Sequence, residues 1–243
     1  MTEIKKNTDL LFSQALRLLP AAAGGLFDID LGAEPVEVLI SDNSIFQDQT
    51  AFRRAELIPA SNNGADASVQ GIKTLHFSVR KDDVRPLNLS HEYQLAFLES
   101  ADFSTNQFVL KTGTILGQNN ANADTLQLFG NVNDNELLFS VPFQAGIFHN
   151  FALTLDFNAL TTQVFFSLGE DDLEDVTGVV QNDVSGGGQF HFGLLKKPVG
   201  GVGDITQNGF QPAGINEGII YGGIFQEDSI DGCISLNAAA AAA

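Results

Sequence analysis

From Val36 onward the chain is a succession of short runs in which apolar and polar residues alternate, each closed by glycine, proline, asparagine or aspartate, with no long helical period among them. Such a chain has to satisfy its backbone between strands, and with no long helix to cover a parallel sheet it must bury one sheet on another. Ile72 to Arg80 is the clearest run: Leu75, Phe77 and Val79 fall on one side, Thr74, His76 and Ser78 on the other. Further runs stand at Val36 to Ile40, Phe52 to Ile58, His91 to Glu99, Gln107 to Ile115, Leu126 to Gly130 and Leu137 to Pro142. The series continues at His149 to Phe157, Gln163 to Leu168, Gln189 to Leu195 and Ile219 to Gln226. Roughly ten such strands predict an all-β fold, a two-sheet antiparallel sandwich or jelly roll with an open concave cleft.

At 243 residues, with 44% hydrophobic and 17% charged residues, the chain can bury one sizeable core and shows no linker that would divide it. We read residues 26–237 as a single domain, residues 1–25 as a separate N-terminal segment, and the alanines from 238 to 243 as a tail without function. In the N-terminal segment Lys5 and Lys6 precede a leucine-rich run, Leu10 to Leu19, an order like that of a signal peptide. Gln14 and Arg17 interrupt the run, and a short amphipathic helix is the reading we adopt.

A net charge of −18 sets the chain against nucleic acid and anionic membranes and leaves neutral polymers, carbohydrate first among them, as partners. One cysteine, Cys233, excludes an internal disulfide and a cysteine-built zinc site, and reads as a small buried hydrophobe. His76, His91, His149 and His191 have no metal-site spacing, so neither a metal nor an organic cofactor is expected. No Gly-x-Ser-x-Gly elbow supports serine hydrolase chemistry.

Polar residues that a strand does not need for folding gather between Phe52 and Thr114. Glycosidic bonds are cleaved by paired carboxyl groups, and this stretch offers Glu56, Glu92 and Glu99. Glu56 follows Arg53 and Arg54, cations that can orient it and keep it ionised. In the run from His91 to Glu99, strict alternation puts Tyr93, Leu95 and Phe97 in the core with Glu92 and Gln94 opposite. Glu99 then shares the core parity unless a bulge intervenes.

Four segments, Phe52 to Pro59, Arg85 to Leu95, Phe97 to Phe108 and Gly214 to Asp228, together resemble the fungal enzymes of glycoside hydrolase family 131. That resemblance covers about Val36 to Leu236 and implies a secreted β-jelly-roll enzyme that hydrolyses β-1,3, β-1,6 and β-1,4 glucans with two glutamates. It implies Glu56 as one of the pair, and strand parity selects Glu92 over its rival Glu99 for the other. Arg53, Gln94, Gln107, Lys111 and His191 are the expected substrate contacts. The alternatives are a non-catalytic glucan-binding or cell-wall protein and a self-assembling structural protein on the same fold, prompted in part by the lack of tryptophan.

Overall fold

The computed structural model describes residues 3–20, 24–28, 32–59, 65–118 and 122–241. Two seven-stranded sheets face each other. The first, sheet A, runs in the order β1 (Glu3–Lys5), β4 (Arg53–Ile58), β13 (Gln189–Lys196), β6 (Glu92–Glu99), β7 (Asn106–Gly113), β8 (Thr125–Phe129) and β9 (Leu137–Pro142). The second, sheet B, runs β12 (Glu174–Gln181), β11 (Thr161–Leu168), β10 (His149–Asp156), β5 (Ile72–Lys81), β14 (Asn216–Asp228), β3 (Val36–Ser41) and β2 (Leu16–Leu18). Neighbours pair antiparallel, as a fold without crossover helices requires.

Alternation builds the core as expected in most strands. Leu75, Phe77 and Val79 of β5 and Phe108 and Leu110 of β7 enter the space between the sheets. Phe77 stacks on Phe151 at 5.3 Å and meets Phe192 of the opposite sheet edge-on at 5.7 Å. Tyr221 of β14 crosses the core, its hydroxyl 2.7 Å from the carbonyls of both Leu95 and Gly193. A buried phenol needs such a partner, and this one ties sheet B to the two strands that carry the site.

Four expectations need correction. The Leu10 to Leu19 run is not an amphipathic helix: it holds one helical turn, α1 (Phe12–Ala15), and then β2, which pairs with β3. With β1 on the edge of sheet A, the N-terminal segment contributes a strand to each sheet, so backbone pairing outweighs the leucine spacing. Edge strand β12 escapes sequence detection because its Glu174, Asp175, Thr177 and Gly178 break any apolar alternation. Cys233 is exposed rather than buried, lying on the C-terminal segment outside sheet B.

The fourth correction concerns β6. Its pairing slips between Gln94 and Ala96 against β7, and β13 slips between Phe192 and Leu195 on its other side. One extra residue reverses parity beyond it. Ala96 and Leu98 therefore enter the core, while Phe97 turns outward to join Val109 and Phe129. Glu99 turns outward with Phe97. Among the described residues, no helix is long and apolar enough to cross a membrane.

Candidate active site

On the outer face of sheet A three strands bring a carboxylate, an imidazole and a second carboxylate into line. Glu56 of β4 receives His191 Nδ1 at 2.8 Å, and His191 Nε2 stands 3.3 Å from Glu99 Oε2. Gly193 makes the approach of β13 to β4 possible, since a Cβ there would lie 2.3 Å from the Ala55 carbonyl and 2.6 Å from Glu56 Cγ. Phe97, released outward by the bulge, stacks flat on His191 with centroids 4.4 Å apart, which fixes the imidazole plane.

Arg54 grips Glu56 through two bonds, Nε at 2.7 Å and Nη2 at 2.6 Å, and its Nη1 donates to Gln49 at 3.0 Å. Both side chains are buried, and a fork of this kind is the geometry that supports a buried ion pair. Burial pushes the Glu56 carboxyl up, but the Arg54 guanidinium, then His191, outweigh it and hold the group well below the usual carboxylate range.

Glu99 is different in exposure. It lines a groove of about 540 Å³ together with Lys5, Phe46, Gln49, Arg54 and Phe103, whereas Glu56 and His191 are fully covered behind it. Among the described lining residues Glu99 is the one carboxylate. Burial pushes its carboxyl up, and His191, Lys5 and Arg54 together bring it below the ordinary value. Lys5 arrives on β1, 3.4 Å from Glu99 Oε2, and stands over the Phe46 ring at 5.4 Å.

The sequence-nominated residues divide into groups. Glu56, His191 and Glu99 come together. Glu92 stands at the opposite end of β6, roughly 15 Å from Glu56 by strand rise and spacing. There its Oε1 meets Lys197 at 2.7 Å and Lys111 at 3.5 Å, and its Oε2 accepts the Leu116 N–H at 2.8 Å. Burial raises the Glu92 carboxyl, but Lys197 and Lys111 leave it lowered, as in a structural ion cluster. Lys111 also stands over Phe129 at 5.0 Å.

Gln94 accepts from Asn106 at 3.4 Å. Gln107 is spent on a glycine turn, donating to the Gly187 carbonyl at 2.6 Å and accepting the Gly186 N–H at 2.7 Å. Arg53 points to the other face of β4 and donates to the carbonyls of Thr50 and Phe52, so Arg54 is the arginine that joins Glu56. The i, i+2 spacing of Arg54 and Glu56 on a strand is the signal that identifies the right arginine. Nothing local to Lys5 announces its role, because its partners lie on distant strands.

The profile of the glycoside hydrolase 131 catalytic N-terminal domain matches residues 1–232. Among solved structures, a GH131 β-glucanase catalytic domain from Podospora anserina superposes with a TM-score of 0.74 at 25% identity, over 97% of this chain and 86% of that one. The catalytic domain of the glycoside hydrolase family 131 protein from Coprinopsis cinerea superposes with a TM-score of 0.72 at 22% identity, over 97% of this chain and 85% of that one. No curated protein sequence matches significantly. With most of its length matched by the family profile and its sheets arranged as in these catalytic domains, the chain belongs to glycoside hydrolase family 131 and is a glycoside hydrolase.

Proposed function

We propose that the protein hydrolyses β-glucans, of β-1,3, β-1,6 or β-1,4 linkage, in the groove bordered by Glu99, with Glu99 as the carboxyl that meets the substrate. The observation that carries this reading is the line Glu56, His191, Glu99, which starts at a buried arginine-held carboxylate and ends at an open groove. Activity on β-glucan in a family relative of known structure supports the substrate class.

Hydrolysis needs one proton taken from the attacking water and one given to the departing glycosidic oxygen. Glu99 is positioned to exchange a proton with either, and His191 to share it. Glu56, kept ionised by Arg54, bonds the imidazole at 2.8 Å and fixes its orientation, as a carboxylate does behind a catalytic histidine. With a ring between them the two carboxyls stand on the order of 7 Å apart, a span that inverting enzymes fill with water. Here the imidazole fills it, which favours Glu56 as a positioning group over a second carboxyl flanking the sugar. The Glu92 cluster, with its carboxylate oxygens engaged by two lysines and a backbone N–H, is assigned a structural part.

Reducing-sugar release from a panel of β-1,3, β-1,6, β-1,4 and mixed-linkage glucans, run beside Glu99→Gln and Glu92→Gln, tests the reading. Release by the parent and Glu92→Gln but not by Glu99→Gln is expected. Equal release by Glu99→Gln removes Glu99 from the chemistry, and no release by a folded parent favours a glucan-binding role without hydrolysis.

A further inference from the structure

Two loops converge on the groove, and each carries a residue in a conformation that non-glycine residues seldom adopt. Phe103, between β6 and β7, has φ of 60°, and Gln47, between β3 and β4, has φ of 52°; both line the groove. Phe103 is also 67% exposed, an awkward place for a large apolar ring. Its loop is nevertheless firmly set. Asp102 accepts from the hydroxyls of Ser100 and Ser104 at 2.7 Å each, and the Phe103 N–H donates to the Ser100 carbonyl at 2.8 Å. On the facing loop Phe46 lies over two cations of the site, Lys5 at 5.4 Å and Arg54 at 5.7 Å.

We propose that Phe46 and Phe103 are the sugar-stacking platforms of the groove, taking in this tryptophan-free chain the part that indole rings play in carbohydrate sites. The inference rests on the hydrolase reading of the Glu99 groove and deepens it by assigning specificity. A β-linked glucose ring carries its hydroxyls equatorially and so presents two flat C–H faces that an aromatic ring can cover. An axial hydroxyl breaks one of those faces. Phe46, held beside Lys5 and Arg54, meets the sugar next to Glu99, and Phe103 meets a neighbouring unit from the loop side. The unfavourable backbone at Phe103 is then the means of presenting its ring to solvent.

Calorimetric binding of laminarihexaose and cellohexaose to the Glu99→Gln protein, which leaves the ligand intact, tests this. Adding Phe103→Asn is expected to weaken binding about two- to tenfold, the size of one aromatic stacking contact. Asparagine tolerates the left-handed backbone, so the melting temperature should hold or rise, which separates lost stacking from lost folding. Phe103→Trp should bind as tightly as the parent or tighter. Equal affinity in Phe103→Asn and the parent overturns the platform while leaving the hydrolase reading untouched. A folded protein that releases no sugar and binds neither oligosaccharide overturns both.

Discussion

Two histidine–glutamate pairs occupy the opposite outer faces of the sandwich and are built alike, yet they differ in what stands beyond them. On sheet A, His191 bonds Glu56 at 2.8 Å and stacks on Phe97 at 4.4 Å; on sheet B, His76 bonds Glu227 at 2.8 Å and stacks on Phe225 at 4.3 Å. The second nitrogen of His191 faces Glu99 and hence the groove. On sheet B the Glu227 oxygens take the N–H and hydroxyl of Ser235 and Phe27 closes edge-on over the imidazole, while the second ring nitrogen is buried without a hydrogen bond in both histidines, His76 Nδ1 and His191 Nε2. On the proposed reading the same pair is a proton path in one place, through Glu99, and in the other it holds the C-terminal segment through Ser235. A buried histidine–carboxylate contact becomes chemistry only when a third group connects it to substrate.

The sharpest way to break this comparison is to remove the connecting group. Glu99→Gln should lower kcat by about 10²-fold or more, the usual scale of a lost acid–base group, while Glu227→Gln leaves kcat within about twofold. Steady-state kinetics on a glucan that the parent cleaves decides it, and comparable losses in both variants would end the distinction. Next in size is Glu56→Gln. It strands the buried Arg54 guanidinium, so chemical denaturation should show a loss of about 3–5 kcal/mol together with reduced activity. An unchanged stability would mean that Arg54 reaches water.

Glu227→Gln should cost about 1 kcal/mol, because its carboxylate is partly exposed and two of its contacts are ordinary hydrogen bonds. Hydrogen exchange should localise the loosening to the C-terminal segment near Ser235. The smallest effect is in pH. Burial, only partly opposed by Glu227, lowers His76 below 6.5, so the unfolded chain takes up that proton first and its stability, complete above 6.5, falls as pH drops below it. Glu56 and Glu99 are lowered from 4.5, so their contribution is complete above 4.5 and fades only below it. Because Glu37, which burial and Asp82 raise to about 7, acts in the opposite sense over this window, the readout is the difference between proteins. On going from pH 7 to pH 5 the melting temperature of His76→Gln should lose ground to a lesser extent than the parent's, and an identical slope would shift the effect to His91 or His149, which are also lowered.

Much of this was legible in the chain. Alternation in Ile72 to Arg80 and Gln107 to Lys111 assigns the right faces to β5 and β7, because a strand with one buried side must show its period. Motifs around Glu56 and Glu99 carry the resemblance to glycoside hydrolase family 131, and the family profile covers them. His191 is expected from the sequence as a substrate contact, but it lies fully buried between Glu56 and Glu99. Parity failed in β6, where strict alternation favours Glu92, because a bulge belongs to the register between strands and leaves no mark in one strand alone.

What the sequence by itself determined is the all-β class, the positions of most strands and the family, since side-chain period and turn residues act locally and long motifs persist in order. Only the tertiary structure decided which acids share a site. It slipped β6 by one residue to turn Glu99 outward, brought Lys5 from the N-terminal edge strand to meet it, and consigned Glu92 to two lysines. These are pairings between distant segments, fixed by how the two sheets close on their core rather than by any residue's neighbours in the chain.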